Sequence, residues 1–535
     1  MIKTTQYFYA LLILTASLYS TLSHAGFTPV GSYQKSCTRI SIKNNNLHAS
    51  CKTLTGSSHS TTLKNLDSCL NSITLDGDIG NIDGNLICLP DLPKADPSMT
   101  FPESETSINN WIYSADAVAT YKHAWGIWAG LTSYVGHVSN TPTRAFETWN
   151  TTSNMLYQIE SAPTNGIKQL ATPSRKLQLD LMIPGQFKNK KGIKGKLTKS
   201  LAPVTADDGD TNIFVSVAYN PPAARHAITN KLFLQSTLNQ YLKEGYTEIP
   251  NFPNNSITIK PVYKIIPKNI KKGIYKFPGW PGTPTPAKTF PEKDWNSCIY
   301  VDIKKTGNGG NSVDKGCKNQ ATDNTFYLNN FIHQKISKDN AVYLSSQLNI
   351  KVSEGDYAIL VGMHVTSREI KRWTWQTFWW SANPAKPFLP SSSEIAASRP
   401  LNILDKAAQH YAMSTAYQMV LPAQPITDGK NIGASLIAYN PHLEAGFDPS
   451  VFQIIRKING NIENKYGVQT NCMTCHNLAL YNPETDYRKD NGSNRETPYG
   501  TDYYMSITDK TFNNTLKLDF AWSILGALKL DANKK

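Results

Sequence analysis

The eight cysteines constrain this chain most, because their spacing divides them into two chemical groups. They occupy positions 37, 51, 69, 88, 298, 317, 472 and 475. If the last two have a separate role, the remaining six cysteines permit fifteen pairings. Proximity along the chain favours Cys37–Cys51, Cys69–Cys88 and Cys298–Cys317, and each bridge would contribute about 3 kcal/mol in the chain-entropy description. The last two stand apart, because Cys472-Met-Thr-Cys475 is followed directly by His476.

The first 25 residues predict a compartment in which disulfides can form. Lys3 precedes the apolar run YFYALLILTASLYSTL, which ends at Ser23-His24-Ala25. A basic start, an apolar stretch and a small-x-Ala end are typical of a secretory signal peptide, here residues 1–25. No later run approaches the ~20 apolar residues of a transmembrane helix. We therefore expect a periplasmic or secreted protein without a transmembrane segment, in which disulfides persist.

Charge narrows the class of partner. The chain has 535 residues, 18% charged residues and a formal net charge of +14. Lysines are spread along it, as in QFKNKKGIKGKLTK at 186–199, which favours a solvated basic surface. Attraction to an acidic polysaccharide or an anionic membrane stays open. No nucleic-acid-binding motif accompanies the charge, so no nucleic-acid partner is expected.

Composition predicts two folded regions joined by a linker. Residues 27–90 are rich in Ser, Thr, Asn and Gly and contain no Trp, whereas all eleven Trp residues lie beyond residue 104. The Pro-rich stretch 91–104 is predicted to be a linker, and residues 105–535 are predicted to form a large β-rich body. Strand patterns occur at 176–183, 212–220, 256–266, 356–367 and 434–440, and helical patterns at 107–134 and 404–420. The predicted fold class is α+β, dominated by β-structure.

The motif at 472–476 carries the most specific chemistry. Covalent attachment of a c-type haem needs two thiols for the vinyl groups and an adjacent histidine for the iron, which Cys472, Cys475 and His476 supply. A zinc site would need further nearby ligands, and a thioredoxin-like dithiol would open a helix after a strand. A disulfide between the two thiols would close a very small ring. The prediction is one covalent haem c, with Met505 or His364 as rival distal ligands, or an open sixth position.

The small region has a second recognisable pattern. An aromatic residue, Tyr33, precedes Cys37, and Cys51, Gly56 and the turn Asn81-Ile-Asp-Gly-Asn-Leu86 follow in order. This pattern resembles the cyanovirin-N homology family, which implies an all-β fold that binds mannose-type or related glycans. The positions that the resemblance carries over as carbohydrate-binding residues are Lys35, Ser36, Lys52, Thr53, Asn81 and Asp83. A disulfide-stabilised spacer is the structural alternative.

The body is similar to exported bacterial proteins classed as cytochrome c family, through GMHVTSREIKRWTWQTFWW, AYNPHLEAGFD, NCMTCH and LDFAWSI. The tryptophans of 371–380 favour core packing, with a platform for a sugar or a haem as the alternative. The leading hypothesis is an exported haem protein acting in electron transfer or oxidation near glycans, with a redox partner. Whether it is an enzyme stays open, and a haem-dependent oxidoreductase is the class favoured. The alternative is a secreted lectin or interaction protein whose haem is structural or absent.

Overall fold

A computed structural model describes most of the chain. The described residues are 28–53, 56–72, 77–138, 141–160, 180–183, 212–348, 350–423, 433–449, 466–487 and 504–531. The predicted signal peptide, the start of the predicted strand 176–183 and the basic stretch 186–199 lie outside them. Within the described ranges, no helix has the length and apolar character required to cross a membrane.

Short strands dominate the described part of the chain, together with ten helices. The strands are β1 (Cys37–Lys43), β2 (Asn46–Lys52), β3 (Ser58–Leu63), β4 (Asp78–Ile82), β5 (Asn85–Leu89), β6 (Tyr134–Val138), β7 (Thr141–Arg144), β8 (Asn150–Thr151), β9 (Phe214–Val215), β10 (Ala218–Tyr219), β11 (Ile257–Ile266), β12 (Ile274–Pro278), β13 (Ser297–Asp302), β14 (Asp314–Lys315), β15 (Thr325–Tyr327), β16 (His333–Lys335), β17 (Tyr357–Ser367), β18 (Thr374–Trp380), β19 (Tyr411–Ala416), β20 (Val420–Leu421), β21 (Ala434–Ser435), β22 (Leu480–Tyr481) and β23 (Leu516–Lys517). The helices are α1 (Leu66–Ser72), α2 (Glu105–Tyr113), α3 (Ala117–Thr132), α4 (Thr152–Glu160), α5 (Pro221–Thr229), α6 (Gln235–Lys243), α7 (Lys338–Leu348), α8 (Ser393–Ala397), α9 (Cys472–His476) and α10 (Trp522–Gly526). The predicted dominance of β-structure is confirmed.

The N-terminal region contains two small sheets, and its disulfides follow the predicted pairing. Strands β1, β2 and β3 form one antiparallel sheet, and β4 pairs with β5. Cys37 is bonded to Cys51 and Cys69 to Cys88, while Cys298 is bonded to Cys317 in the body. All three predicted disulfides are confirmed. They fit a protein that folds in an oxidising compartment.

Residues 91–104, predicted as a linker, lie against the body. Asp91 and Leu92 are buried, and the Asp91 carboxylate accepts a hydrogen bond of 2.8 Å from Nδ2 of Asn255. Gly130 of α3 is so close to Leu92 that a Cβ there would lie 2.7 Å from its side chain. This stretch therefore contributes to the packing around α3.

An eight-stranded antiparallel sheet organises the body. The main order is β19-β18-β17-β11-β10-β8, with β16 also paired to β17 and β9 to β11. The longest strands, β11 and β17, match the strands predicted at 256–266 and 356–367. Lys260 lies opposite His364, and His364 lies opposite Thr377. Since residues opposite each other in a sheet point to the same side, these three side chains share one face.

The other face of the sheet packs against α3. The predicted helix over 107–134 is present as α2 and α3, with a break between them where Asp116 caps α3 by accepting from the Ala119 amide. Trp128 of α3 is fully buried and stacks on Phe378 of β18 at a centroid distance of 4.3 Å. Its indole N–H donates to the Ala408 carbonyl, so the polar atom of the ring is also satisfied.

The prediction of a helix at 404–420 is wrong. Residues 411–416 form β19, which pairs with β18 from Trp375↔Ala416 to Trp380↔Tyr411. The alanines and Met413 favour a helix locally, but the neighbouring strand offers a complete backbone ladder and aromatic side chains. Tertiary pairing outweighs intrinsic helix propensity at this edge of the sheet.

Candidate haem site

The Cys-x-x-Cys-His motif forms one short helix, α9, which lies over the face of the sheet that carries Lys260, His364 and Thr377. Asn471 caps it, since its Oδ1 accepts a 3.0 Å bond from the Thr474 amide. The Nδ2 group of Asn471 donates to the carbonyls of Gln418 and Leu436 at 3.1 and 2.7 Å. Asn471 has no exposed surface. One buried side chain thus starts the helix and fastens it to two neighbouring segments.

The two motif cysteines form no disulfide in this structure, whereas the other six form three. The Cys472 thiol lies 3.4 Å from the Ala438 carbonyl oxygen, which accepts its hydrogen bond. Burial, the negative charge of Glu444 and the neighbouring Cys475 raise the pKa of Cys472 well above its ordinary value. Reactive dithiols instead have lowered thiol pKa values, so the environment of Cys472 does not support the dithiol interpretation.

His476 is held in a fixed orientation at the end of α9. Its Nδ1 donates to the Phe520 carbonyl at 2.9 Å, and the ring of Trp375 lies 4.1 Å away with a tilt of 36°. Within the part of the chain that the structure describes, Nε2 has no hydrogen-bond partner. Burial, with repulsion from His364 and Lys260, lowers the pKa of His476 to about 3. The imidazole is therefore neutral at neutral pH, with Nε2 available as a lone pair.

A strained turn supplies the carbonyl that orients His476. Asp519 and Phe520 have φ values of 45° and 67°, in a region that residues with side chains adopt at a cost. Asp519 is buried and accepts from the guanidinium of Arg368 at 3.1 Å and from the Phe252 amide at 2.9 Å. These contacts hold the turn in place, and the indole of Trp522 adds a 3.2 Å hydrogen bond to the Cys475 carbonyl.

The sheet face below the motif is polar. The side chain of His364 points from β17 and its Nε2 lies 3.1 Å from Glu444. Burial alone would raise the pKa of Glu444, but His364, the Asn440 amide and Lys260 outweigh it and the pKa is lowered. Because His364, Lys260 and Glu444 all act electrostatically on His476, the structure brings one predicted distal ligand into the electrostatic neighbourhood of the motif.

The segment 438–446 covers this face without regular structure. Asn440 donates from Nδ2 to the Thr377 hydroxyl and the Phe378 carbonyl, both at 2.9 Å. Gly362 permits this approach, because a Cβ there would lie 2.9 Å from the Asn440 amide nitrogen. The Ala438 amide donates to the Thr470 carbonyl at 2.9 Å, which joins the segment to the residues before α9.

A buried charged group fixes the same segment further along the sheet. Glu292 accepts from Lys264 at 2.6 Å and contacts Nδ1 of His442 at 2.5 Å. All three side chains are nearly inaccessible to solvent. Burial would raise the pKa of Glu292, but Lys264 and the hydrogen bond with His442 lower it. The carboxylate therefore stays ionised and binds β11 to the segment that carries Glu444.

Met505, the other predicted distal ligand, packs in a small apolar cluster with Leu478, Leu480 and Phe512. Its carbonyl accepts from Arg372 at 3.0 Å, and Arg372 also donates to the Tyr504 hydroxyl at 2.8 Å. These contacts give Met505 a packing role beside α9.

The donor set fits a c-type haem by its chemistry. Two cysteines outside any disulfide and a neutral histidine occur together, and the second ring nitrogen of the histidine is bound to a carbonyl, as is usual for metal-ligating histidines. In the described residues, no group of three or more His, Cys, Asp or Glu side chains is arranged to hold a metal ion by itself.

The predicted glycan residues lie around the turn between β4 and β5. Asn81 donates to the Ser36 hydroxyl at 3.0 Å and to the Lys52 carbonyl at 2.9 Å, and its Oδ1 accepts from the Gly84 amide at 2.8 Å. Asn81 is buried, so its amide serves the fold. Thr53 contacts Ser57, Asp83 has a left-handed φ of 45°, and partial burial lowers the pKa of Lys35.

The tryptophans of 371–380 are buried in the core, as packing predicts. Trp373 and Trp375 lie on the motif side and Trp380 on the α3 side. The indole of Trp375 donates to the Arg372 carbonyl at 2.9 Å. Neither the Trp375–His476 contact nor the role of the Phe520 carbonyl was predictable from residue type, because a backbone acceptor has no residue-type signature.

No protein family model, curated protein or solved structure matches this chain. The functional interpretation therefore depends on the motif and its surroundings.

Proposed function

We propose that the chain is an exported, periplasmic or secreted, c-type haem protein that acts in electron transfer or oxidation near glycans. One observation carries the proposal: His476 is neutral, its Nδ1 is bound to the Phe520 carbonyl, and two cysteines outside any disulfide precede it on the same helix. This arrangement holds the imidazole ready to coordinate iron through Nε2. When bound, the haem would supply one-electron redox chemistry.

The chain's own residues have separate roles in this proposal. Cys472 and Cys475 would form the thioether bonds, and His476 would be the proximal ligand. Asp519 positions the Phe520 carbonyl, and Trp375 keeps water from one side of the imidazole. A carbonyl acceptor strengthens the donor character of a ligating histidine, and an apolar cover limits solvent at the iron.

His364 is the better-supported distal ligand of the two predicted residues. It is on the sheet face that also carries Lys260 and Thr377, and it acts electrostatically on His476. Met505 has an apolar packing environment instead. Because Nε2 of His364 contacts Glu444, Nδ1 is the ring nitrogen that would coordinate the iron.

Covalent attachment is tested by expressing the full chain with a haem-maturation system. We expect a c-type absorption spectrum and haem that stays on the denatured polypeptide. Cys472→Ser and Cys475→Ser should each reduce this covalent haem strongly, because each removes one thioether. The double variant Cys298→Ser/Cys317→Ser is the matched control and should retain it. Absence of haem on the native chain, or retention in all variants, would contradict the proposal.

The distal ligand is tested on the haem-loaded chain. His364→Ala should change the ligand-sensitive bands of the spectrum, whereas Met505→Leu should change them no more than Met413→Leu, a buried methionine on the opposite sheet face. A change with Met505→Leu alone would assign Met505 instead.

A secreted lectin is the second candidate function, favoured because Asn81 joins Ser36 and the Lys52 backbone at one turn while the Lys52 side chain is exposed. We propose that this region binds mannose-type or related glycans and positions the body near them, close to a redox partner. A glycan array with the full chain tests this. Binding that is lost in Lys52→Ala and kept in Lys43→Ala would support it, and no binding would leave the region as a spacer.

A further inference from the structure

We propose that a pocket at the end of β18 binds one acidic sugar residue of a polysaccharide. The pocket is distinct from the N-terminal turn and from the haem motif, and the inference is independent of the proposed function. Its volume is about 180 Å³, which suits one sugar ring. The residues that carry the argument are Asn311, Ser312, Lys315, Asn383, Lys386 and Phe388.

Phe388 is the aromatic surface that remains available in this pocket. It is 43% exposed, whereas the wall residues Trp280 and Trp379 are buried. The ring of Trp380 is already stacked on Phe331 at 4.5 Å. An exposed ring at the mouth of a pocket can pack against the C–H face of a sugar.

Amide groups beside Phe388 match the hydroxyls of such a ring. Asn383 uses its Oδ1 to accept from the Lys386 amide at 3.1 Å, which leaves its Nδ2 as a donor. Among the described residues, the side-chain amide of Asn311 has no hydrogen-bond partner. The hydroxyl of Ser312 donates to Asp323 and retains its capacity to accept. These groups can both donate to and accept from vicinal hydroxyls.

Two lysines make the pocket positively charged. Neither Lys315 nor Lys386 forms an ion pair within the described ranges, and both line the pocket. The nearest carboxylates in sequence are engaged, since Asp314 accepts from the Tyr300 hydroxyl at 2.8 Å and Asp323 from Ser312 at 3.1 Å. Asp314 and Lys315 are successive residues of β14 and point to opposite sides. A carboxylate on the ligand would meet two ammonium groups that form no ion pair among the described residues.

The ligand class follows from the combination of these groups. The two lysine ammonium groups favour a ligand that carries a carboxylate over a neutral sugar, and the small volume does not suit a dinucleotide. The formal net charge of +14 would draw an anionic polymer to the protein at low ionic strength. Trp379 at the pocket and Trp375 at His476 are four residues apart on one strand, about 13 Å. The bound sugar would thus lie at a short distance along β18 from the motif.

The test is calorimetric titration of the full chain with trigalacturonate and, separately, with neutral galactotriose. We expect the acidic trisaccharide to bind at least tenfold more tightly than the neutral one. Lys315→Gln/Lys386→Gln and Phe388→Ala should each weaken trigalacturonate binding about tenfold. The matched control Lys338→Gln/Lys351→Gln removes the same charge elsewhere on the surface and should have little effect.

Several results would overturn the proposal. These are no binding to the native chain, equal affinity for the two trisaccharides, or an equal loss in the two lysine double variants. Loss of binding in Lys52→Gln with retention in Lys315→Gln/Lys386→Gln would assign the acidic sugar to the N-terminal turn instead. Circular dichroism of each variant separates lost binding from lost folding.

Discussion

The two faces of the eight-stranded sheet are built differently. The face toward α3 is apolar, with Trp128 stacked on Phe378 in a large continuous core. The opposite face carries Lys260, His364 and Thr377 and is covered by irregular segments and the short helix α9. A regular helix satisfies its own backbone, whereas an irregular cover needs side chains to do so.

Buried polar side chains meet this need on the motif face. Asn440, Asn471 and Asp519 are each at most 1% exposed and bind backbone groups of neighbouring segments. The packing energy of one face and the hydrogen bonds of the other therefore have different consequences. Damage to the first should cost stability, and damage to the second should also change the site.

The largest loss of stability should come from Trp128→Ala on the apolar face. The side chain is fully buried and stacked, so its removal leaves a cavity that costs about 4 kcal/mol of unfolding free energy. Denaturant unfolding measures this, with Val118→Ala on the exposed side of α3 as control. The proposed covalent attachment of haem to the folded fraction should be unaffected. A loss below about 1 kcal/mol would show that the core relaxes to fill the cavity left by the Trp128 side chain.

Glu292→Gln should cost slightly less, about 3 kcal/mol, because it leaves Lys264 buried without a counter-charge. Unlike Trp128→Ala, it should also release His442 and the segment that carries Glu444, and so alter the haem spectrum. Glu354→Gln, at an exposed position, is the control for the loss of a carboxylate. An unchanged spectrum together with the full loss of stability would separate this charged group from the site.

Acid should destabilise the chain through a histidine on the apolar face. His410 packs beside Trp380, and burial lowers its pKa to about 4. Between pH 6.5 and pH 4 the unfolded chain binds a proton that the folded chain does not, so stability falls as pH falls. Allowing for the partial exposure of the ring, the contribution is about 2 kcal/mol.

His410→Phe should make the unfolding free energy less steep over this pH range, as measured by denaturant titrations at several pH values. His59→Phe, at an exposed strand position, is the control. The same direction is expected from Glu292 and Glu444, whose lowered pKa values make their stabilisation disappear in acid. An identical pH dependence of the unfolding free energy in the native chain and in His410→Phe would show that His410 does not contribute to the destabilisation in acid.

Local sequence signals predicted local structure well. The three disulfides, the strands β11 and β17 and the helices α2 and α3 depend on spacing and periodicity within short stretches. The stretch 404–420 failed because its partner strand is distant and its own residues favour a helix. The motif at 472–476 and the rival ligand His364 could be found from residue type. The Phe520 carbonyl, Asp519 and the Trp375 contact could not, because they join residues 44 to 151 positions apart in the chain.

The smallest predicted effect on stability comes from the motif face, and it tests whether a side chain of that face acts on the site as well as on stability. Trp375→Phe removes the hydrogen bond to the Arg372 carbonyl and part of the cover over His476, at a cost of about 1 kcal/mol. Trp379→Phe is the matched control, because it makes the same substitution on the same strand four residues away. Both variants should lose similar stability, but only Trp375→Phe should lower the reduction potential of the haem-loaded chain, since water near the iron favours its more highly charged form. Equal shifts in potentiometric titrations of the two variants would mean that Trp375 acts on the core in general and not on His476.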